Sequence, residues 1–169
     1  GYNPPQETEP INIPYEKFEL SNGLDVILHE DHSIPMISVN VWYHVGSKNE
    51  KPGRTGFAHL FEHLMFEGSK HHNHNFAQPL EEVGGTDNGS TSTDRTNYWS
   101  NIPSDQLELA LWLESDRMGF LLDVMTQEKL NNQRDIVKNE KRQNYDNKPY
   151  GQAWAVIPEM MFPDGHPYH

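Results

Sequence analysis

The stretch MISVNVWYHVGSKNEKPGRTGFAHLFEHLMFEG, residues 36–68, changes its hydrophobic period partway along, and that change decides the fold class. Over residues 36–45, Ile37, Val39, Val41, Tyr43 and Val45 alternate with Ser38, Asn40, Trp42 and His44, the period-two pattern of a strand with one buried face. Over residues 54–67 the spacing becomes helical: Phe57, Leu60, Phe61 and Leu64 recur at i, i+3, i+4 and i+7, and Gly68 stands where a helix stops. A strand therefore feeds an amphipathic helix.

Upstream, residues 17–21 and 24–29 alternate around Asn22-Gly23, a dipeptide suited to a two-residue type I′ turn, which predicts a hairpin. Residues 1–14 carry four prolines and no periodicity, so they read as an extended arm ahead of a domain over residues 15–169. Downstream, a short helix is expected from Asn75 as N-cap to Gly84-Gly85, with Pro79 in its first turn. The Thr-, Ser- and aromatic-rich run 88–101 reads as one edge strand.

After Ser104, apolar residues from Leu107 to Leu122 surround a helix on nearly every side, which predicts burial in the packed layer. A long polar helix over residues 126–147 and a last helical stretch over 152–161 follow. Strands first and helices later give an α+β fold, a largely antiparallel sheet with helices packed on one face.

The chain has 169 residues, 34% of them hydrophobic, with 25 acidic and 13 basic side chains and a formal charge of −12. That suits one domain with a thin core, and it argues against a partner bound through its phosphate backbone, so nucleic acid is not expected. No apolar run approaches the roughly 20 residues needed to span a bilayer. With no cysteine, any metal must be held by His, Asp or Glu.

His59-Leu60-Phe61-Glu62-His63 puts two imidazoles one turn apart on the same helix face, where both can bind one zinc ion at about 2.0–2.1 Å. The pattern HxxEH is the inverse of the HExxH zinc peptidase motif. The plain alternative is a pair of helix-surface or core histidines beside a Glu62 surface ion pair. A zinc site needs a third protein ligand. On the 126–147 helix, Leu130, Ile136 and Val137 mark the inward stripe, and among the acids only Glu140 lies on it, whereas Glu128 and Asp135 point outward. An inward carboxylate calls for a cation. By the same logic Glu114, among Leu107, Leu111 and Met118, is either a rival ligand or an inward acid paired with Arg117 or Arg95. His71-His72-Asn73-His74 offers a separate His-rich metal module, with solvated loop residues as its bland counterpart.

These motifs in combination resemble the pitrilysin/insulinase family of zinc metallopeptidases, which includes the mitochondrial processing peptidases. The resemblance runs from His59-Leu-Phe-Glu-His63 to Asn139-Glu140, with 76 residues between His63 and Glu140, and takes in Gly84-Gly85, Asn88, Thr96-Asn97-Tyr98 and the closing FPDGHPYH of residues 162–169. It implies the first subdomain of a metallopeptidase half, truncated at His169. It further implies zinc bound by His59, His63 and Glu140, with Glu62 as the catalytic base of peptide hydrolysis. A peptide substrate would add as a strand at Asn88, Gly89, Ser90 and Thr91, and a second homologous domain or subunit would complete the enzyme. Gln133 departs from the family where many members carry a second glutamate seven residues before the third ligand, and Ser90 departs where many carry an aromatic. A non-catalytic partner subunit or scaffold is the rival reading. The Pro-rich arm and the absent initial Met give a bacterial periplasmic or secreted location as the expectation.

Overall fold

A computed structural model describes residues 12–169; the expected arm over residues 1–14 lies almost wholly outside them. The chain divides into two compact units, Gly1–Pro35 and Met36–His169. In the first, β1 (Glu16–Glu19) pairs antiparallel with β2 (Asp25–Leu28). The hairpin is as expected, but its turn is not. Gly23 N donates to Leu20 O and Leu20 N to Leu24 O, both at 2.9 Å, and Gly23 has φ +85° while Asn22 has no positive φ. The connection is therefore a three-residue loop, a type I turn closed by a left-handed glycine, because only one of the two residues adopts the conformation a type I′ turn demands twice.

In the second unit, β3 (Met36–Tyr43), β4 (Thr86–Thr91) and β5 (Thr96–Pro103) form an antiparallel sheet in the order β3-β5-β4. The run read as one edge strand is thus the β4–β5 hairpin: β4 is the edge and β5 the centre, with the chain reversing at residues 92–95. The register pairs Tyr98 with Val41 and Gly89, and Thr96 with Tyr43 and Thr91, so these residues share one face with Ile37, Val39 and Ile102. On that face lie α1 (Phe57–Leu64), α2 (Gln78–Glu82) and α3 (Leu107–Phe120), which close a core of Phe76, Leu80, Ile102, Ala110 and Leu113. Asn75 accepts from Ala77 N at 2.8 Å in a turn ahead of α2 rather than as its cap.

The α3 helix is buried on one side only. Ala110, Leu113, Glu114, Asp116 and Arg117 face inward, whereas Leu111 and Trp112 are about half exposed at 51% and 45%. A single three-stranded sheet covers one flank of a helix, so the all-round apolar pattern outruns the layer available to it. Next, α4 (Gln127–Lys141), N-capped by the Thr126 hydroxyl, packs against α1, and α5 (Ala153–Met161) follows. Among the described residues no helix is long and apolar enough to cross a membrane.

Candidate active site

The α1 helix starts where Glu50 receives it: the carboxylate accepts from Gly56 N at 2.8 Å and Ala58 N at 2.6 Å, satisfying two otherwise free amides at the positive end of the helix. The helix ends before Gly68, whose φ of +98° and close approach to the His74 backbone leave no room for a Cβ. Between these ends the histidines and Glu62 project from α1 on the side away from Phe57 and Phe61.

His59 Nε2 and His63 Nε2 lie 3.2 Å apart, and each is 3.5 Å from Glu140 Oε2 on α4. Among the described residues this is the one group of three acid or imidazole side chains whose ligand atoms all converge within 4.8 Å. The sides of this triangle can be compared with a tetrahedral zinc site: bonds of about 2.0–2.1 Å put neighbouring ligand atoms about 3.3 Å apart. Sides of 3.2, 3.5 and 3.5 Å fit one face of such a tetrahedron, and no fourth His, Asp or Glu among the described residues joins the group.

The other nitrogen of His63 is also engaged. Its Nδ1 donates to Gln133 Oε1 at 3.2 Å, and Gln133 Nε2 donates in turn to Glu67 Oε1 at 2.5 Å. Because a carboxylate can only accept, Glu67 orients the Gln133 amide with its oxygen toward His63, and that fixes the tautomer with Nε2 unprotonated toward His59 and Glu140. Lys129 ties Glu67 from the other side, donating to its backbone oxygen at 2.9 Å and to Asn73 Oδ1 at 2.6 Å. The inward stripe of α4 marked Glu140 from sequence but gave Gln133 no role, since only its charge-bearing positions called for partners.

Glu62 makes no ion pair among the described residues; its Oε2 accepts from the Thr91 hydroxyl, and its Oε1 lies over Gly89. The four strand positions singled out by sequence are all on β4, the sheet edge. They divide by period two. Gly89 and Thr91 face α1, while Asn88 is exposed and Ser90 joins a polar network on the other face, bonded to Asn97 at 2.8 Å and to Arg95 at 2.5 Å.

Glu114 is no ligand. It forms a two-point ion pair with Arg117, Oε2 to Nε at 3.0 Å and Oε1 to Nη2 at 2.6 Å, and both side chains are buried. The Arg117 guanidinium lies 3.8 Å from the Phe76 ring centre and 4.3 Å from that of Tyr98. Burial raises the Glu114 carboxyl above its ordinary value, with the Arg117 charge and hydrogen bonds opposing. The His71–His74 loop gathers no metal group either. His71 Nδ1 instead bonds buried Asp116 at 2.5 Å, and the same carboxylate accepts from the Ser69 hydroxyl and the His71 amide. A mainly apolar cavity of about 520 Å³ lies between α1 and the end of β3, lined by Tyr43, Val45, Phe57, Phe61, Met65 and Tyr98 among others; none of His59, Glu62, His63 and Glu140 borders it.

Comparison with known proteins matches residues 25–162 to the model of the family described as Insulinase (Peptidase family M16). Zinc protease PqqE of Helicobacter pylori is 33% identical over 157 residues, covering 92% of this chain and 35% of that protein. Human insulin-degrading enzyme is 30% identical over 159 residues, covering 92% of this chain and 15% of its own length. Among solved structures, a protease from Helicobacter pylori superposes with a TM-score of 0.81 at 32% identity, over 94% of this chain and 38% of the other. Pitrilysin gives 0.79 at 26% identity, over 99% and 18%. The chain thus spans less than two fifths of the length of each of these relatives.

Proposed function

Because the chain belongs to the insulinase family, peptidase family M16, we propose that residues 15–169 are the zinc-binding and base-bearing part of a zinc metalloendopeptidase acting on small or unfolded peptides. The observation that carries this reading is the triangle of His59, His63 and Glu140, whose dimensions suit one zinc ion with a fourth position open. Zinc held there supplies Lewis-acid polarisation of the scissile carbonyl and lowers the pKa of water toward about 7.

The chain's own residues do the remaining work. Glu62, next to His63 on α1 and not neutralised by any ion pair among the described residues, takes the proton of the attacking water and returns it to the leaving amine. Gln133 holds His63 in the tautomer that presents Nε2. The outer edge of β4 next to α1 offers backbone amides and carbonyls to an extended peptide, which adds as a further strand, so most of the binding comes from main chain and side-chain selectivity is loose. A second homologous domain or subunit closes over the peptide; the relatives' greater length supports this.

The test uses the full-length protein. Zinc content and cleavage of an unstructured peptide are measured for the wild type and for Glu62→Gln. Zinc retained with turnover abolished supports the reading; turnover that survives in Glu62→Gln removes the base, and with it the mechanism.

A further inference from the structure

Among the described residues, one side chain hydrogen-bonds the Glu62 carboxylate. It belongs to a strand read so far only as a substrate edge. The Thr91 hydroxyl donates to Glu62 Oε2, bridging β4 and α1. Its cross-strand partner is Thr96, 95% buried, whose Oγ1 lies 3.0 Å from Val45 O and 3.4 Å from Thr91 Oγ1. Two residues earlier on the same face, Gly89 carries no side chain. A Cβ there would lie 3.2 Å from Glu62 Oε1, 3.2 Å from Phe66 Cε2 and 3.1 Å from Tyr98 Cδ1.

From this arrangement we infer that the inner face of β4 is the seat of the base, with Thr91 a positioning residue that holds one oxygen of Glu62 while Gly89 keeps the other clear. The inference rests on Glu62 being the base of a peptidase.

The physics favours Thr at this position. A glutamate has three side-chain torsions, and ordering it costs rotamer entropy, so a free carboxylate spends much of its time out of position. A β-branched residue in a strand is stiff at χ1, so its hydroxyl is a fixed donor. An ionised carboxylate only accepts, and a hydroxyl has one proton to give. With Oε2 engaged by that proton, Oε1 is the oxygen left to receive one from water. Ser90, one residue away and on the opposite face, could not make this contact.

The experiment compares Thr91→Val, Thr91→Ala and Thr91→Ser with wild type in the full-length, zinc-loaded protein, reading zinc affinity, kcat and KM separately. Loss of the hydroxyl is expected to lower kcat by roughly 10- to 100-fold, with zinc affinity and KM unchanged, and Ser is expected to restore most of it. In zinc-free protein, the ¹³C carboxyl resonance of Glu62 should move in Thr91→Val and stay in place in Thr91→Ser. Thr91→Ala loses the hydroxyl without adding a methyl, so it must fall together with Val, and it carries the test if Val does not fold. Wild-type kcat without the hydroxyl, a loss confined to KM, or an equal loss in Ser overturns the inference. Glu62→Gln run alongside separates the two levels: if it still cleaves, the peptidase reading has failed, and if it is inactive while Thr91→Val is unimpaired, only the role of Thr91 falls.

Discussion

The side-chain carbonyl of Gln133 accepts the Nδ1 proton of His63 at 3.2 Å across the gap between α4 and α1. The partner of the ring is a neutral amide, and the carboxylate stands one step further out, at Glu67. The imidazole is oriented without a second negative charge beside the ligands. Outer-shell partners of this kind are worth roughly 10- to 100-fold in metal affinity. Gln133→Leu should therefore weaken zinc binding by about tenfold in competition with a chromophoric chelator. An affinity equal to wild type would mean that packing alone sets the ring orientation.

The loop between α1 and α2 is held by one buried carboxylate. Burial by itself would raise Asp116, but hydrogen bonds from the Ser69 hydroxyl, the His71 ring and the His71 amide outweigh it and hold the group below its ordinary 3.8. A depressed carboxyl stabilises the fold above its unfolded pKa and loses that contribution as pH falls through the lower folded value. The expected outcome is that Asp116→Asn costs about 1–3 kcal/mol at pH 7, and that the gap to wild type narrows below roughly pH 4. Urea unfolding of both proteins from pH 2 to pH 7 tests it; a gap that stays constant or widens toward acid contradicts the assignment.

The residues legible in the sequence were those whose local pattern matches their final surroundings. The α1 periodicity set His59 and His63 on one face, and the α4 stripe singled out Glu140, because helical geometry alone carries those placements. The β4–β5 reversal was hidden because Thr, Ser and Asn occupy both faces, leaving no apolar alternation to break at residues 92–95. That turn is instead pinned by distant groups: Asp94 is bonded to Lys48 Nζ and to the Tyr168 hydroxyl, each at 2.7 Å. Thr91 and Gln133 were singled out by resemblance, but their bonds to Glu62 and His63 left no local signal. Their partners lie 29 and 70 positions away, and neither carries a charge to demand one.

Arg117 and Glu114 form a buried pair with side chains 1% and 4% exposed. Removing one member strands the other, and that costs more than the pair contributes. Arg117→Met should destabilise the protein by about 3–5 kcal/mol, while Arg117→Met combined with Glu114→Leu should recover most of the loss. The double-mutant cycle, read by denaturant midpoint, yields the coupling. If the double variant is as unstable as the sum of the singles, the stacking of Arg117 on Phe76 and Tyr98 outweighs the charge pairing.

Because the triangle draws two ligands from α1 and one from α4, an ion there would fasten one helix to the other. A ligand that binds only the folded state adds RT ln(1 + [L]/Kd), about 2.7 kcal/mol at a hundredfold excess over Kd. For a domain of this size that corresponds to roughly 5–10 °C in Tm. Dialysis against a chelator should lower the Tm by about that amount and zinc should restore it, with Glu140→Ala showing a much smaller response. The amides of α4 should also exchange faster in the stripped protein than in the loaded one, since the clamp on that helix is gone. A zinc-dependent Tm shift of full size in Glu140→Ala would place the third ligand elsewhere, and the two helices would then be joined by packing alone.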